Sequence, residues 1–327
     1  MKQEVIIVDS HHGPYLVEPD IEREVLSPEA EPVLYRVNSA EDLIGLIDNA
    51  AAIISWHTIP LPAFVIERLN NCRGIVRAAM GFDNIDIAFA AERGIPVAVV
   101  PDYGTEEVAD HTMALMLALV RKLPIIDRLA KNGEWDWRGV GSVPRLRGLR
   151  LGIVGFGRIG TAVARRAQVF GFTTSFYDPY VPSGYDKVQA VMRHESLHEL
   201  LEWAQVVSIH VPLNPETRHL IGTAELARLT PHAILVNTSR GEVIDQQALL
   251  DSLAENRIGQ VGLDVLADEP NVPAAFRTSD RVLLTAHSAF YADASLAELR
   301  YKAAASVRRL LRGEPERNVV NGVGIKS

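Results

Sequence analysis

The sequence contains two series of short apolar runs that alternate with segments of helical spacing. In the first series, the apolar runs cover residues 5–8, 51–55, 74–78 and 95–100. The segments between them, residues 40–49, 62–70 and 84–93, repeat apolar residues at the spacing of helices. Continuously apolar strands are typical of parallel sheets that are covered on both faces, so this series predicts an α/β domain.

The second series begins after a long apolar segment. Residues 105–122 open with Thr105, carry two glutamates in the first turn and precede Pro124, so they predict one helix that stops before the proline. Because this helix is very apolar, we expect it to be buried between domains or between subunits. A loop is predicted at 131–148. The later strands are predicted at residues 149–155, 173–178, 204–212, 232–239, 258–266 and 281–287, before a final helix at 293–311.

Composition narrows the functional class. The chain has 327 residues, which corresponds to two domains at roughly 150 residues per domain. The net charge of −8 argues against nucleic-acid binding through phosphate contacts. The single cysteine, Cys72, excludes an intrachain disulfide, and no signal peptide or membrane-spanning run is evident. We therefore expect a cytoplasmic protein with no nucleic-acid or membrane partner. No cluster has the spacing of metal ligands, so no metal is expected.

A glycine-rich turn after the first strand of the second series is a candidate nucleotide site. Gly155, Gly157 and Gly160 form G-x-G-x-x-G, and a helical pattern follows. These glycines would permit a tight turn, close approach of a pyrophosphate, and packing of the helix on the strand. Asp178 lies 18 residues beyond Gly160, where an acid binds ribose hydroxyls and repels a 2′-phosphate. The motif predicts NAD as cofactor; the alternative is a glycine-rich turn without a ligand.

Three polar residues each follow a strand of the second series: Arg240, Glu269 and His287. Ligands bind beyond the carboxyl ends of the strands in open parallel sheets, so these side chains are expected to converge. An arginine can grip a carboxylate, a histidine can donate a proton to a carbonyl that is being reduced, and a glutamate can orient that histidine. Taken singly, each residue would more often be a solvated loop residue.

Several blocks of sequence resemble the D-isomer-specific 2-hydroxyacid dehydrogenase family. NTSRGEVID, LDVLADEP and TAHSAF are similar to its signature blocks, and RAAMGFDNIDI with RGIPVAVVPDYGTEEVAD is similar to its substrate-domain blocks. SWHTIPLP, FYDPY and HSAFYADASLAELRYKAA most resemble the C-terminal-binding-protein branch of the family. EEVADHTMALMLALVRK also resembles phosphite dehydrogenase.

The resemblance implies two Rossmann-like or flavodoxin-like α/β domains with parallel sheets, one inserted into the other. Residues 102–289 would bind NAD, and residues 1–101 with 290–327 would bind the substrate. The family also implies a homodimer that forms through the region of the apolar helix.

The resemblance assigns a role to each candidate site residue. Arg240 would bind the substrate carboxylate, His287 would be the acid–base group, and Glu269 would be its partner. The implied cofactor contacts are Val108, Gly155, Phe156, Gly157, Arg158, Ile159, Gly160, Asp178, Val211, Pro212, Thr217, Thr238, Ser239, Asp264 and His287. The implied substrate contacts are Trp56, His57, Met80, Gly81, Arg240 and Phe290, although Trp56 could equally be a packing residue.

The sequence departs from the family pattern at three positions. Ala286 stands where the dehydrogenases usually have proline, Phe290 where the C-terminal-binding-protein branch has tryptophan, and Met80 where a small residue is frequent. The function expected is NAD-dependent interconversion of a small 2-oxo acid and its D-2-hydroxy acid. The alternatives are an NAD(H)-sensing scaffold that binds peptides and, less favoured, a phosphite oxidoreductase. The chain ends soon after the predicted last helix, without the long tail expected of the scaffold class.

Overall fold

The computed structural model describes residues 2–324. The chain divides into two compact units: unit 1 comprises Met1–Gly104 and Ala292–Ser327, and unit 2 comprises Thr105–Tyr291. No helix in the described part of the chain is both long enough and apolar enough to cross a membrane.

The strands are β1 (Gln3–Ser10), β2 (Ala30–Val37), β3 (Ala52–Ser55), β4 (Ile75–Arg77), β5 (Val97–Val99), β6 (Arg150–Val154), β7 (Thr173–Tyr177), β8 (Met192–Arg193), β9 (Val206–Ile209), β10 (Ile234–Asn237), β11 (Gln260–Leu263) and β12 (Val282–Leu284). The α-helices are α1 (Asp20–Leu26), α2 (Ala63–Ile66), α3 (Ile87–Glu92), α4 (Thr105–Val120), α5 (Leu123–Lys131), α6 (Arg158–Val169), α7 (Tyr185–Gln189), α8 (Leu197–Trp203), α9 (Thr223–Leu226), α10 (Gln246–Ala254), α11 (Ala274–Thr278) and α12 (Asp293–Arg312). Short 3₁₀ turns lie at Glu41–Leu43, Trp137–Val140 and Gly241–Val243.

Unit 1 is a five-stranded parallel sheet with the order β2-β1-β3-β4-β5. Its central strands contain runs of apolar residues: Ile6, for example, is paired with Val33 on one side and Ile53 on the other. Two apolar cores cover the sheet, and α12 belongs to the core that contains Val5 and Ile54. This is the flavodoxin-like order, which reverses direction between β1 and β3.

Unit 2 is a seven-stranded parallel sheet with the order β12-β11-β10-β9-β6-β7-β8. Numbered within the unit from β6, this order is 3-2-1-4-5-6-7, the Rossmann arrangement with one further strand. Its switch point lies between β6 and β9, where ligands bind in sheets of this type. The α/β class and the two parallel sheets predicted from the sequence are confirmed.

Helix α4 belongs to unit 2, and half of its residues are already buried in the single chain; its burial between subunits stays a prediction. Its apolar residues, among them Met113, Leu115, Met116 and Leu119, belong to the same core as β6 and α6. The apolar face of this helix is therefore packed against β6 and α6 of its own unit.

One other local prediction was wrong and two elements were not predicted, each for an identifiable reason. Residues 40–49 were predicted as a helix, but the structure has a 3₁₀ turn at Glu41–Leu43 followed by further turns, and Gly45 has a φ of +84° there. The segment after Pro124 is a helix, because Lys122 turns the chain with a φ of +54° and the proline occupies the first turn of α5. Strand β2 was not predicted, because Pro32 interrupts it; proline is compatible with its place at the edge of the sheet.

Candidate active site

The glycine-rich turn lies between β6 and α6, at the switch point of unit 2. Gly155 has a φ of +89°, and a Cβ there would lie 2.8 Å from the backbone of His210. A Cβ on Gly160 would lie 2.2 Å from the carbonyl oxygen of Gly155. Gly157 differs, since no atom lies within 4 Å of the position that its Cβ would take. The fold needs the first and third glycines, while the second leaves space beside the backbone for a ligand.

This turn has the features of a pyrophosphate site. Arg158, Ile159 and Gly160 form the first turn of α6, whose amides have no acceptor within the helix and whose dipole favours an anion. The ring of Phe156 is buried and stacks on Phe176, with centroids 4.0 Å apart. Phe156 can therefore offer its backbone to a cofactor, but not its ring.

Asp178 follows β7 and holds the turn in place. Its Oδ2 accepts a hydrogen bond of 2.8 Å from the amide of Phe156, and its Oδ1 accepts one of 2.9 Å from the amide of Tyr180. The carboxylate is half-buried and each oxygen keeps a further lone pair, so it can also accept hydrogen bonds from ribose hydroxyls. The residues of the turn thus fit a dinucleotide.

The remaining predicted cofactor residues lie at the ends of neighbouring strands or on α4. Val211 and Pro212 follow β9, and Thr217 closes their loop by donating from Oγ1 to the Pro212 carbonyl at 2.5 Å. Thr238 and Ser239 follow β10, Asp264 follows β11, and Val108 is buried in α4.

Three adjacent strands, β10, β11 and β12, lead into the segments that carry Arg240, Glu269 and His287. The Nδ1 of His287 lies 2.8 Å from Oε2 of Glu269, and 25% of the His287 side chain and 31% of the Glu269 side chain are exposed. The amide of Leu266 donates to the other oxygen, Oε1, at 2.9 Å. An ionised carboxylate only accepts, so Nδ1 of His287 carries a proton and Nε2 is the nitrogen that can exchange one with a bound molecule.

The backbone around His287 is held firmly. His287 has a φ of +49°, in the left-handed region, and its amide donates to the carbonyl of Asp264 at 2.7 Å. This conformation costs a non-glycine residue about 1–3 kcal/mol and persists where neighbours impose it. The buried carboxylate of Asp264 accepts from the amides of Ser288 and Ala289 at 2.9 and 3.1 Å and from Oγ1 of Thr285 at 2.6 Å.

Arg240 stands on a turn that is organised by Asn237, the last residue of β10. The Nδ2 of Asn237 donates to the carbonyl of Arg240 at 2.8 Å, and its Oδ1 accepts from the amide of Ser239 at 2.9 Å. The next residue is Gly241, where a Cβ would lie 1.9 Å from the backbone of Leu266. Only glycine fits here, because the segments after β10 and β11 run so close together.

The predicted substrate residues of unit 1 differ in burial. Trp56 is 2% exposed and stacks on Tyr15 with centroids 4.7 Å apart, so the structure favours the packing alternative for this side chain. His57 is half-buried, and its Nδ1 accepts from the guanidinium of Arg77 at 3.0 Å, so a neutral ring carries its proton on Nε2. Met80 and Gly81 lie in the segment after β4, and the Met80 side chain is exposed. In unit 2, Phe290 is half-buried in the turn after His287.

Sequence reasoning missed residues that position these groups. In unit 1, Nδ2 of Asn84 donates to the carbonyls of Trp56, His57 and Ile59, which shapes the loop after β3. In unit 2, His111 and Thr112 of α4 contact residues far along the chain. No local pattern marks such residues, because their partners are distant in sequence.

Comparison with known proteins identifies the family. Residues 113–289 match the family model described as D-isomer specific 2-hydroxyacid dehydrogenase, NAD binding domain. The chain is 37% identical over 314 residues to a glyoxylate reductase of Korarchaeum cryptofilum, covering 95% of this chain and 92% of the relative. It is also 37% identical over 281 residues to a D-3-phosphoglycerate dehydrogenase of Methanocaldococcus jannaschii, covering 86% of this chain but only 53% of that relative.

A solved structure agrees with these matches. The D-lactate dehydrogenase of Aquifex aeolicus, complexed with NAD and lactic acid, has a TM-score of 0.87 and 27% identity, with 97% of this chain and 99% of that chain covered. The signature blocks in the sequence and the matches over most of its length point to the same family. The chain belongs to the D-isomer-specific 2-hydroxyacid dehydrogenase family, and residues 113–289 are its NAD-binding domain.

Proposed function

We propose that the protein is an NAD-dependent oxidoreductase that interconverts a small 2-oxo acid and its D-2-hydroxy acid. The observation that supports this most strongly is the 2.8 Å contact between His287 and Glu269 beyond the carboxyl ends of the unit 2 strands. The glycine turn of the same sheet fits the cofactor, and Arg240 follows the neighbouring strand. In this proposal residues 102–289 are the cofactor domain, and the rest of the chain binds the substrate.

His287 is the acid–base group of this proposal. When NADH is bound, it supplies the hydride that reduces the carbonyl carbon of the 2-oxo acid. Nε2 of His287 donates its proton to the carbonyl oxygen in that direction and takes a proton from the hydroxyl group in the reverse direction. Glu269 keeps the ring oriented and stabilises the imidazolium form, because its carboxylate accepts from Nδ1.

Arg240 binds the substrate carboxylate. A guanidinium offers two parallel N–H donors that match a carboxylate, and its fixed charge also polarises the adjacent carbonyl. The Asn237 contacts and the close approach at Gly241 define the course of the backbone at Arg240. Replacing Arg240 by alanine should therefore raise the KM for 2-oxo acids. Arg228→Ala is a matched control, since that arginine pairs with Glu202 on the surface of unit 2.

Small acids are the best candidates for the substrate. Two relatives carry the names glyoxylate reductase and D-lactate dehydrogenase, and both names refer to acids of two or three carbons. The test is a panel of glyoxylate, hydroxypyruvate, pyruvate, phenylpyruvate and branched 2-oxo acids, each followed by oxidation of NADH. We expect turnover with at least one member. If NADH is oxidised with none of them, the proposed activity is wrong.

NAD is proposed as the preferred cofactor because Asp178 stands where the adenosine ribose would bind. Its negative charge repels a 2′-phosphate. Fluorescence titration should show tighter binding of NADH than of NADPH. The Asp178→Ser variant should show a smaller difference between its affinities for the two cofactors. Equal affinity of the wild-type protein for the two cofactors would contradict this assignment.

The protein is further proposed to be a homodimer, through α5 and the tryptophans that follow it. None of the residues of α5 is buried, and Leu123, Trp135 and Trp137 are 52%, 92% and 79% exposed. Several large apolar side chains exposed over one short stretch of the chain are typical of an interface. Light scattering should give a dimer for the wild type and monomers for the W135S/W137S double variant. Tyr301→Ser, at another exposed aromatic residue, is the control, and a monomeric wild type would contradict the proposal.

A further inference from the structure

Helix α4 contacts two functional turns of unit 2 through two consecutive residues. Nε2 of His111 lies 3.0 Å from Oγ1 of Thr285, and Oγ1 of Thr112 lies 2.9 Å from Oγ1 of Thr238. Thr285 is two residues before His287, and Thr238 is two residues before Arg240. One helix therefore contacts both turns, each time at a threonine two residues before the proposed functional residue, His287 or Arg240.

The direction of each hydrogen bond around His111 follows from its neighbours. The Thr285 hydroxyl has one hydrogen, which it donates to the carboxylate of Asp264 at 2.6 Å. Its oxygen must then accept from His111, so Nε2 of His111 is protonated. His111, Thr285 and Asp264 form a directed chain, and Asp264 in turn accepts from the amides of Ser288 and Ala289 on the far side of His287.

The contact at Thr112 is directed in the same way. The Thr112 hydroxyl donates its hydrogen to the carbonyl of Val108 at 2.7 Å, so its oxygen accepts from the hydroxyl of Thr238. Thr112 is fully buried and Thr238 nearly so. Loss of a hydrogen bond between two buried hydroxyls costs free energy, because the hydroxyl that remains cannot form a replacement hydrogen bond with water.

Helix α4 is a suitable anchor for these contacts. Its inner face, which includes Ala109, Met113 and Met116, is packed in the core of unit 2 against β6 and α6. The turn before His287 also lacks the stiffening effect of a proline, because Ala286 occupies the position between Thr285 and His287. Side-chain hydrogen bonds from α4 supply that restraint.

We propose that His111 and Thr112 are positioning residues that hold the turns of His287 and Arg240 in their working geometry. This inference rests on the proposed function for the roles of His287 and Arg240, but the restraint itself is a property of the fold. Misplacement of a reacting group by a fraction of an ångström lowers the rate of the chemical step more than the affinity for the substrate.

The test uses pairs of variants that remove or keep each hydrogen bond. His111→Phe removes the donor and His111→Gln keeps an N–H donor; Thr112→Val removes the hydroxyl and Thr112→Ser keeps it. His198→Phe is the control for histidine loss, because His198 pairs with Glu225 on the surface. The readouts are kcat and KM on the best 2-oxo acid, thermal unfolding, and amide hydrogen exchange over residues 285–290 and 237–241.

We expect His111→Phe to speed exchange at Ser288 and Ala289 and to lower kcat roughly 10-fold with little change in KM. Thr112→Val should speed exchange over 237–241 and chiefly raise KM, because Arg240 binds the substrate. His111→Gln and Thr112→Ser should restore both properties. Unchanged exchange and kinetics in His111→Phe, or a lower unfolding temperature with no other change, would overturn the positioning role. Faster exchange in a protein whose wild type reduces no 2-oxo acid would instead overturn the proposed function alone.

Discussion

Two histidine–glutamate pairs in unit 2 have similar hydrogen bonds but different surroundings. His287 lies 2.8 Å from Glu269, and His198 lies 3.0 Å from Glu225. The first histidine follows a sheet strand, in a left-handed conformation fixed through Asp264. The second sits on the short helix α8, with about half of its side chain exposed. A close contact alone therefore does not make an acid–base site; the backbone that presents the pair distinguishes them.

The largest expected difference between the pairs comes from removing each histidine. His287→Asn should lower kcat on the best 2-oxo acid by about 10²–10⁴, the usual range for a general acid–base group. His198→Asn should leave kcat unchanged. Steady-state kinetics with saturating NADH measures kcat for both variants. Equal effects of the two substitutions on kcat would contradict the proposal that His287 is the acid–base group and His198 is not.

Replacing the glutamate of each pair should give a smaller difference in kcat than replacing the histidine. Glu269→Gln keeps the shape of the side chain but loses the charge that stabilises the imidazolium, so we expect kcat to fall by about 10–100-fold. Glu225→Gln should leave kcat unchanged, because Glu225 forms hydrogen bonds with His198 and with the amide of Gly222, and neither residue belongs to the candidate active site. A Glu269→Gln variant with full activity would show that His287 needs no partner.

The His198–Glu225 pair should stabilise the protein slightly at neutral pH and lose this effect at acid pH. Burial opposes ionisation of Glu225, but hydrogen bonds from His198 and from backbone amides, including that of Gly222, hold its pKa below the usual value. A carboxyl whose pKa is lowered on folding stabilises the protein above its unfolded pKa and loses that effect as the pH falls through the folded one. Glu225→Gln should therefore unfold at lower urea than the wild type at pH 7, with the difference shrinking below about pH 4.5.

A third histidine, His210, extends the comparison to a ring that must stay neutral. Burial lowers the pKa of His210 to about 3. The unfolded chain binds a proton at this ring near pH 6.5, while the folded chain does not, so stability falls as the pH drops below that value. The slope is at most about 1.4 kcal/mol per pH unit. Urea unfolding between pH 7 and 5 should show a flatter pH dependence for His210→Asn, and an unchanged slope would contradict this account.

Much of the sheet and of the cofactor turn could be predicted because their causes are local. Apolar runs marked the central strands, and the spacing of Gly155, Gly157 and Gly160 marked a turn whose steric needs the structure displays at each glycine. The order in which Arg240, Glu269 and His287 follow their strands was readable for the same reason. Edge strands such as β2, with Pro32 in it, have a weaker pattern and were missed.

Side-chain contacts between distant parts of the chain could not be predicted. The burial of Trp56 against Tyr15 depends on how the loop after β1 folds over the sheet. The contact of His111 with Thr285 joins residues 174 positions apart, and nothing in the sequence around either residue indicates it. The burial of α4 within its own unit was likewise invisible, since an apolar helix looks the same whichever surface covers it.

The most direct test of the central claim is the stereochemistry of the product. The wild-type protein would be incubated with NADH and pyruvate, or with the member of the panel that it reduces fastest to a chiral product, and the enantiomers would be separated by chiral chromatography. With His287 and Arg240 acting as proposed, the product is the D-2-hydroxy acid alone, and His287→Asn makes almost none. The L-enantiomer, a racemic product, or undiminished formation of the D-acid by His287→Asn would contradict the account.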